Sequence, residues 1–81
     1  MLLDQIDWEK ARLRKISVRI DGHATSISLE QIYIDILKRQ ADRLAVSFAA
    51  IVTMADEKRP PEINLSAALR IVALTSLKTR Q

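Results

Sequence analysis

The sequence predicts a mainly α-helical domain with one small β ribbon, an α+β fold. Three observations point there. Asp21-Gly22 sits between two runs in which apolar and polar residues alternate, the pattern of a tight hairpin. Three later segments carry apolar residues at helical spacing, and Ser28, Ser47 and Asn64 stand where helix caps are expected. The chain has 81 residues, the length of one domain with a small core.

Residues 1–13 read as an N-terminal extension, with Leu2, Leu3, Ile6 and Leu13 loosely on one side of a helix. Trp8 is expected to pack that segment down rather than to stack on a base. Residues 14–81 form the domain proper, and the hairpin opens it. Both central positions of a type I′ turn need positive φ, which Asp-Gly tolerates. A turn at Asp21-Gly22 sets Ile20 opposite His23, Val18 opposite Thr25 and Ile16 opposite Ile27. On the other face Arg19 opposes Ala24, Ser17 opposes Ser26 and Lys15 opposes Ser28. This register sorts the side chains into an apolar face and a polar, basic one.

Ser28-Leu29-Glu30-Gln31 fits a capping box opening the first helix. Its expected apolar stripe is Ile32, Ile36, Leu37, Ala41 and Leu44, with Asp35, Lys38, Arg39 and Asp42 turned outward. Ser47 is expected to cap a second helix from Phe48 to about Lys58, buried through Phe48, Ile51, Val52 and Ala55, and Pro60-Pro61 stops it. Asn64 caps the third, "LSAALRIVALTSLK". Leu65, Ala68, Leu69, Val72 and Ala73 point one way, whereas Ile71 and Leu74 lie well around from them. A helix apolar on nearly all sides expects cover on more than one side, and in so small a domain a partner chain is the expected cover.

Composition narrows the function. Of the residues 48% are apolar and one is glycine, more hydrophobic surface than a short chain easily hides, which suggests obligate association. With no cysteine there is neither a disulfide framework nor a thiolate metal site. No apolar run reaches membrane-span length, and the acidic start is unlike a signal peptide, so the expected location is cytoplasmic. The net charge is +3, and from Lys10 to Arg19 five of ten residues are basic and none acidic. Such a segment suits a polyanion, nucleic acid foremost.

No catalytic constellation is present in the sequence. His23 is the single histidine and falls beside the turn. The carboxylates are scattered among basic neighbours, and no spacing suits metal ligands or a phosphate loop. Ser47 lacks a neighbouring base and reads as a cap. The expectation is a non-enzyme without cofactor or metal.

The order strand, capped helix, turn, second capped helix resembles the ribbon-helix-helix DNA-binding superfamily. "GHATSISLE" at 22–30, "AVSFAAI" at 45–51 and "NLSAALR" at 64–70 look like a bacterial branch with a hairpin in front and an extra helix behind. The resemblance implies an intertwined homodimer in which the segment Thr25–Glu30 pairs with its twofold mate and enters the DNA major groove. Thr25, Ile27, Leu29, Ile51, Leu69 and Val72 would then lie at the dimer interface. Ser26 and Ser28 would meet base edges, where a hydroxyl can donate or accept. The second helix start, with Ser47 and the amides of Phe48 and Ala49, would meet a phosphate. The sequence departs from that branch at three positions. Ala24 replaces a basic residue, and Arg19, directly across from it, is expected to supply the charge to a base. Ala45 replaces a turn glycine, and Ala49 replaces a polar residue.

The expected function is therefore a homodimeric, sequence-specific regulator bound to double-stranded DNA, with Arg12, Arg14 and Lys15 adding phosphate contacts. The alternative is a dimeric interaction module, antitoxin- or adaptor-like, that holds a protein partner through its third helix or N-terminal lead-in and binds DNA weakly or not at all.

Overall fold

A computed structural model describes residues 1–79. Two 3₁₀ turns, Leu2–Gln5 and Trp8–Ala11, lead into strand β1 (Leu13–Ile20) and strand β2 (His23–Glu30). Helices α1 (Gln31–Leu44), α2 (Phe48–Lys58) and α3 (Leu65–Lys78) follow. The strands form one antiparallel sheet in the register expected from the sequence, Ile20 opposite His23 through Leu13 opposite Glu30. Asp21 and Gly22 have φ of 52° and 81°, as the two-residue turn requires. A Cβ on Gly22 would meet nothing within 4 Å, so the demand there comes from the backbone alone.

One face of the hairpin lies on the helices. Val18, Ile20, Ile27 and Leu29 join Ile34, Leu37, Ala41, Ile51, Val52 and Leu69 in a continuous core. Leu29, Leu37, Val52 and Leu69 are wholly buried, each worth roughly 1.5–3 kcal/mol relative to exposure. The hairpin gains stability from that backing, since a lone two-stranded ribbon is marginal in water.

The second and third helices begin as read from the sequence. Ser47 Oγ accepts a hydrogen bond from the Ala50 amide at 3.0 Å, and Asn64 Oδ1 accepts from the Ala67 amide at 2.8 Å. Between these helices Arg59 ties the proline turn down, donating from Nε to Asp56 at 2.9 Å and from a terminal nitrogen to the Ile63 carbonyl at 2.6 Å. Helix α1 ends where Val46 N–H donates to the Ala41 carbonyl and Ala45 N–H to that of Asp42. This closure places Ala45 in the left-handed region, φ 57°, the conformation glycine adopts most readily.

Four expectations are corrected. Ser28 does not cap α1, because β2 runs on to Glu30; Glu30 is the cap position and its side chain makes no capping bond. The buried stripe of α1 is Ile34, Ile36, Leu37 and Ala41, whereas Ile32 and Leu44 are exposed. The helix is rotated by what it packs against, the hairpin and α3, and its own periodicity leaves that rotation open. The lead-in forms short 3₁₀ turns, and Trp8 is 68% exposed on them instead of packed down. Asp35 is half-buried rather than turned outward, accepting from Lys10 Nζ and from Gln31 Nε2.

Candidate nucleic-acid interface

The outer face of the hairpin is built by alternation. Residues 15, 17 and 19 of β1 and 24, 26 and 28 of β2 point away from the helices, and Lys15, Ser17, Arg19, Ala24 and Ser26 are all exposed. Ser28 is half-buried at the same face. Small hydroxyl and methyl side chains line β2, while two long cations stand on β1. Arg19 lies directly opposite Ala24. Neither Lys15 nor Arg19 forms an ion pair among the described residues.

The rest of the basic segment is engaged by the chain itself. Lys10 pairs with Asp35, Arg12 Nε bonds both carboxylate oxygens of Glu9 at 2.9 and 3.0 Å, and Arg14 Nε donates to Gln31 Oε1 at 3.1 Å. The lysine first, then Gln31, holds the Asp35 carboxyl below the usual range. Of five clustered cations, Arg14, Lys15 and Arg19 have no carboxylate partner among the described residues, and of these Arg14 is hydrogen-bonded to the neutral Gln31. Counting charges along the sequence could not separate them, because Asp35 and Gln31 lie 25 and 17 residues from their partners.

The edges of β2 differ. The residues flanking a two-residue turn form a hydrogen-bonded pair, so alternation gives Ile20, Val18, Ile16 and Arg14 to the β1–β2 ladder. The backbone groups of Ala24, Ser26, Ser28 and Glu30 therefore face the opposite edge. One of them is taken: Ser66 Oγ, on α3, donates to the Ser28 carbonyl at 2.8 Å. Glu30 is gripped by Arg70 through two bonds, 2.8 and 3.1 Å. That bidentate contact holds the Glu30 carboxyl below its ordinary range and raises Arg70. Beside this edge runs a groove of about 770 Å³ between β2 and the α2–α3 turn, lined by Thr25, Ser26 and Ser28 on one side and Arg59, Asn64 and Ser66 on the other.

At the start of α2 the Ser47 hydroxyl is occupied as the cap, and the first-turn amides of Phe48 and Ala49 take part in no capping bond. Of the residues that the resemblance places between chains, Ile27, Leu29, Ile51 and Leu69 are at most 6% exposed within one chain, and Thr25 and Val72 are half-buried. Leu29 and Leu69 have no surface of their own to offer a second chain. Open apolar side chains on the helices include others: Leu44, Met54, Ile71 and Leu74 are 52%, 42%, 61% and 53% exposed. Helical spacing could identify Ile71 and Leu74 in advance. Leu44 and Met54 required the actual rotation of α1 and α2.

Among the described residues no cluster of His, Asp and Glu is arranged to hold a metal ion, and no helix is long and apolar enough to cross a membrane. Comparison with known proteins adds the family. No curated protein matches the chain. A solved structure of an uncharacterized protein from Bordetella pertussis Tohama I matches 95% of this chain at 25% identity with a TM-score of 0.81, and the match spans 65% of that protein's length. A family model described as "Ribbon-helix-helix domain" matches residues 13–77. The protein thus belongs to the ribbon-helix-helix domain family, a non-enzymatic fold whose members are generally DNA-binding transcriptional regulators or antitoxins.

Proposed function

We propose that this chain is a homodimeric, sequence-specific DNA-binding regulator acting in the cytoplasm. Two copies join β2 to β2 and lay the resulting ribbon in the major groove. The observation that carries this reading is the exposed outer face of the hairpin, with Ser26 beside the unpaired cations Lys15 and Arg19, next to a strand edge whose backbone groups, the Ser28 carbonyl apart, face an open groove. The major groove admits a two-stranded ribbon, and hydroxyls can contact base edges there. Ser26 and Ser28 contact bases. Ser47 and the amides of Phe48 and Ala49 approach a phosphate, as helix starts do.

Dimerisation also covers the apolar side chains that one chain leaves open. The groove beside β2 continues through Arg59 and Ala55 onto the face formed by Ile71 and Val72. Thr25 and Val72 meet the second copy there, above the core made by Ile27, Leu29, Ile51 and Leu69. Residues 1–13 serve as an extension of the domain at residues 14–81, of which 80 and 81 lie outside the described residues.

Fluorescence anisotropy with mixed genomic duplexes at two salt concentrations, alongside analytical ultracentrifugation, tests the proposal. The expected result is a dimer whose affinity falls steeply with salt as counterions are released. A monomer, or a dimer that binds no duplex at low salt, would sink it. The second outcome favours a dimeric interaction module that holds a protein through α3, antitoxin- or adaptor-like. The exposure of Ile71 and Leu74 and the internal pairing of Lys10 and Arg12 support that alternative.

A further inference from the structure

The family's ribbon is one strand per chain, yet in this chain the ribbon strand is already paired along its other edge with β1. Joining two copies through β2 therefore produces a four-stranded sheet, ordered β1-β2-β2-β1. Neighbouring strands lie about 4.8 Å apart. Each β2 then runs about 2.4 Å from the twofold axis, and each β1 about 7 Å from it. The major groove of B-DNA is about 12 Å wide, so its walls stand about 6 Å from the same axis. The inner strands fit between the walls. The outer strands sit over them, where the anionic backbones run.

The side chains divide in the same way. The inner row is short, Ala24, Ser26 and Ser28, and suits a strand pressed close to the base edges. The outer row, Lys15, Ser17 and Arg19, has an exposed cation at each end and no ion-pair partner for either among the described residues. Four residues of strand separate them by roughly 13 Å along β1.

Resting on the DNA-binding reading, we infer that β1 is a second DNA-gripping strand whose Lys15 and Arg19 bind backbone phosphates on the groove wall. Arg19 is then a phosphate ligand and not the replacement base reader expected from its position opposite Ala24. Each dimer places four such cations, two per wall. Binding is dominated by its salt-dependent part, and sequence preference comes from the inner serines alone.

Substitution of Arg19 in the full chain separates the two roles. A phosphate accepts a point charge, whereas bidentate recognition of guanine needs the planar guanidinium fork. Arg19→Ala is expected to weaken binding to all duplexes alike. It should lower the slope of log affinity against log salt by about 1.8, two phosphates per dimer at about 0.9 each. Arg19→Lys should restore most of the slope, and a random-pool selection should return the same sequences for all three proteins. A changed selected sequence in both variants, or an unchanged salt slope in Arg19→Ala, overturns the inference while the DNA-binding reading stands. Absence of duplex binding by the unsubstituted protein overturns both. Because Arg19 is exposed on the outer face, matching thermal melts serve as the folding control.

Discussion

The outer face of the hairpin and the α2–α3 face are both open in a single chain, yet their chemistry is opposite. The hairpin face presents hydroxyls and two unpaired cations, groups that water solvates well. The α2–α3 face presents Met54 and Ile71, with Leu44 at the end of α1 beside them, all more than two-fifths exposed. Exposure alone therefore says little about what a surface is for. Hydrated cations gain from a polyanion that releases its counterions. Apolar side chains gain from any cover that removes them from water. On our reading the first face meets DNA and the second meets another copy of the chain.

The sharpest way to break this contrast is to place a charge on the apolar face. Burying one isoleucine is worth about 1.5–3 kcal/mol, and a symmetric dimer contains it twice. Ile71→Glu is expected to weaken dimerisation by on the order of 100-fold or more. Sedimentation should then show a monomer at concentrations where the parent is a dimer. If the variant stays dimeric, that face is covered by something else.

The opposite face should respond in the reverse sense. Ser26→Glu sets a carboxylate against the phosphates without touching the core. DNA affinity is expected to fall about tenfold or more, roughly 1.4 kcal/mol, with sedimentation unchanged. A smaller effect on DNA than on dimerisation would show that the two surfaces are not separate.

A third substitution should move neither surface and so calibrates both. Ala45 holds a left-handed conformation that costs an L-residue roughly 1–2 kcal/mol. Ala45→Gly should stabilise the fold by about 1 kcal/mol, less the added flexibility of the unfolded chain. The midpoint of thermal unfolding should rise by a few degrees, with DNA affinity unaltered.

The smallest expected effect concerns acid. The Glu30 carboxyl titrates lower in the folded chain than in the unfolded one, because Arg70 bonds its charged form. Its stabilising contribution is full above the unfolded value and drains away as the pH falls through the lower, folded one. Both side chains are partly exposed, so Arg70→Ala should cost at most about 1 kcal/mol near neutrality. The variant should also lose part of its acid sensitivity, as followed by urea melts at a series of pH values.

Local signals made much of the fold legible in the sequence. The Asp21-Gly22 turn together with strict alternation defines the hairpin register, since a slip by one residue would expose every apolar side chain. Ser47 and Asn64 act on amides three residues away, so their roles as caps can be read directly. Ser28 misled because a serine in an exposed strand and a serine at a helix cap have the same local sequence. What separates them is the continued pairing of β2 with β1 as far as Glu30. The candidate site was legible only in outline. Alternation identifies the outward row, but which cations remain unpaired depends on Asp35 and Glu9. The Glu30–Arg70 and Ser28–Ser66 contacts, 40 and 38 residues apart, have no local signature at all.

The hydroxyl of Ser66 resting on the Ser28 carbonyl has a consequence for the newly made chain. A bare sheet rim is adhesive toward any extended peptide, and folded proteins commonly blunt such rims. Here the start of α3 occupies an acceptor in the middle of that rim before any second molecule arrives. A stray strand finds an interrupted ladder, whereas in the dimer we propose a second copy of the chain brings matching surface to make up for the missing rung. On that reading the same small contact favours self-recognition over indiscriminate clumping.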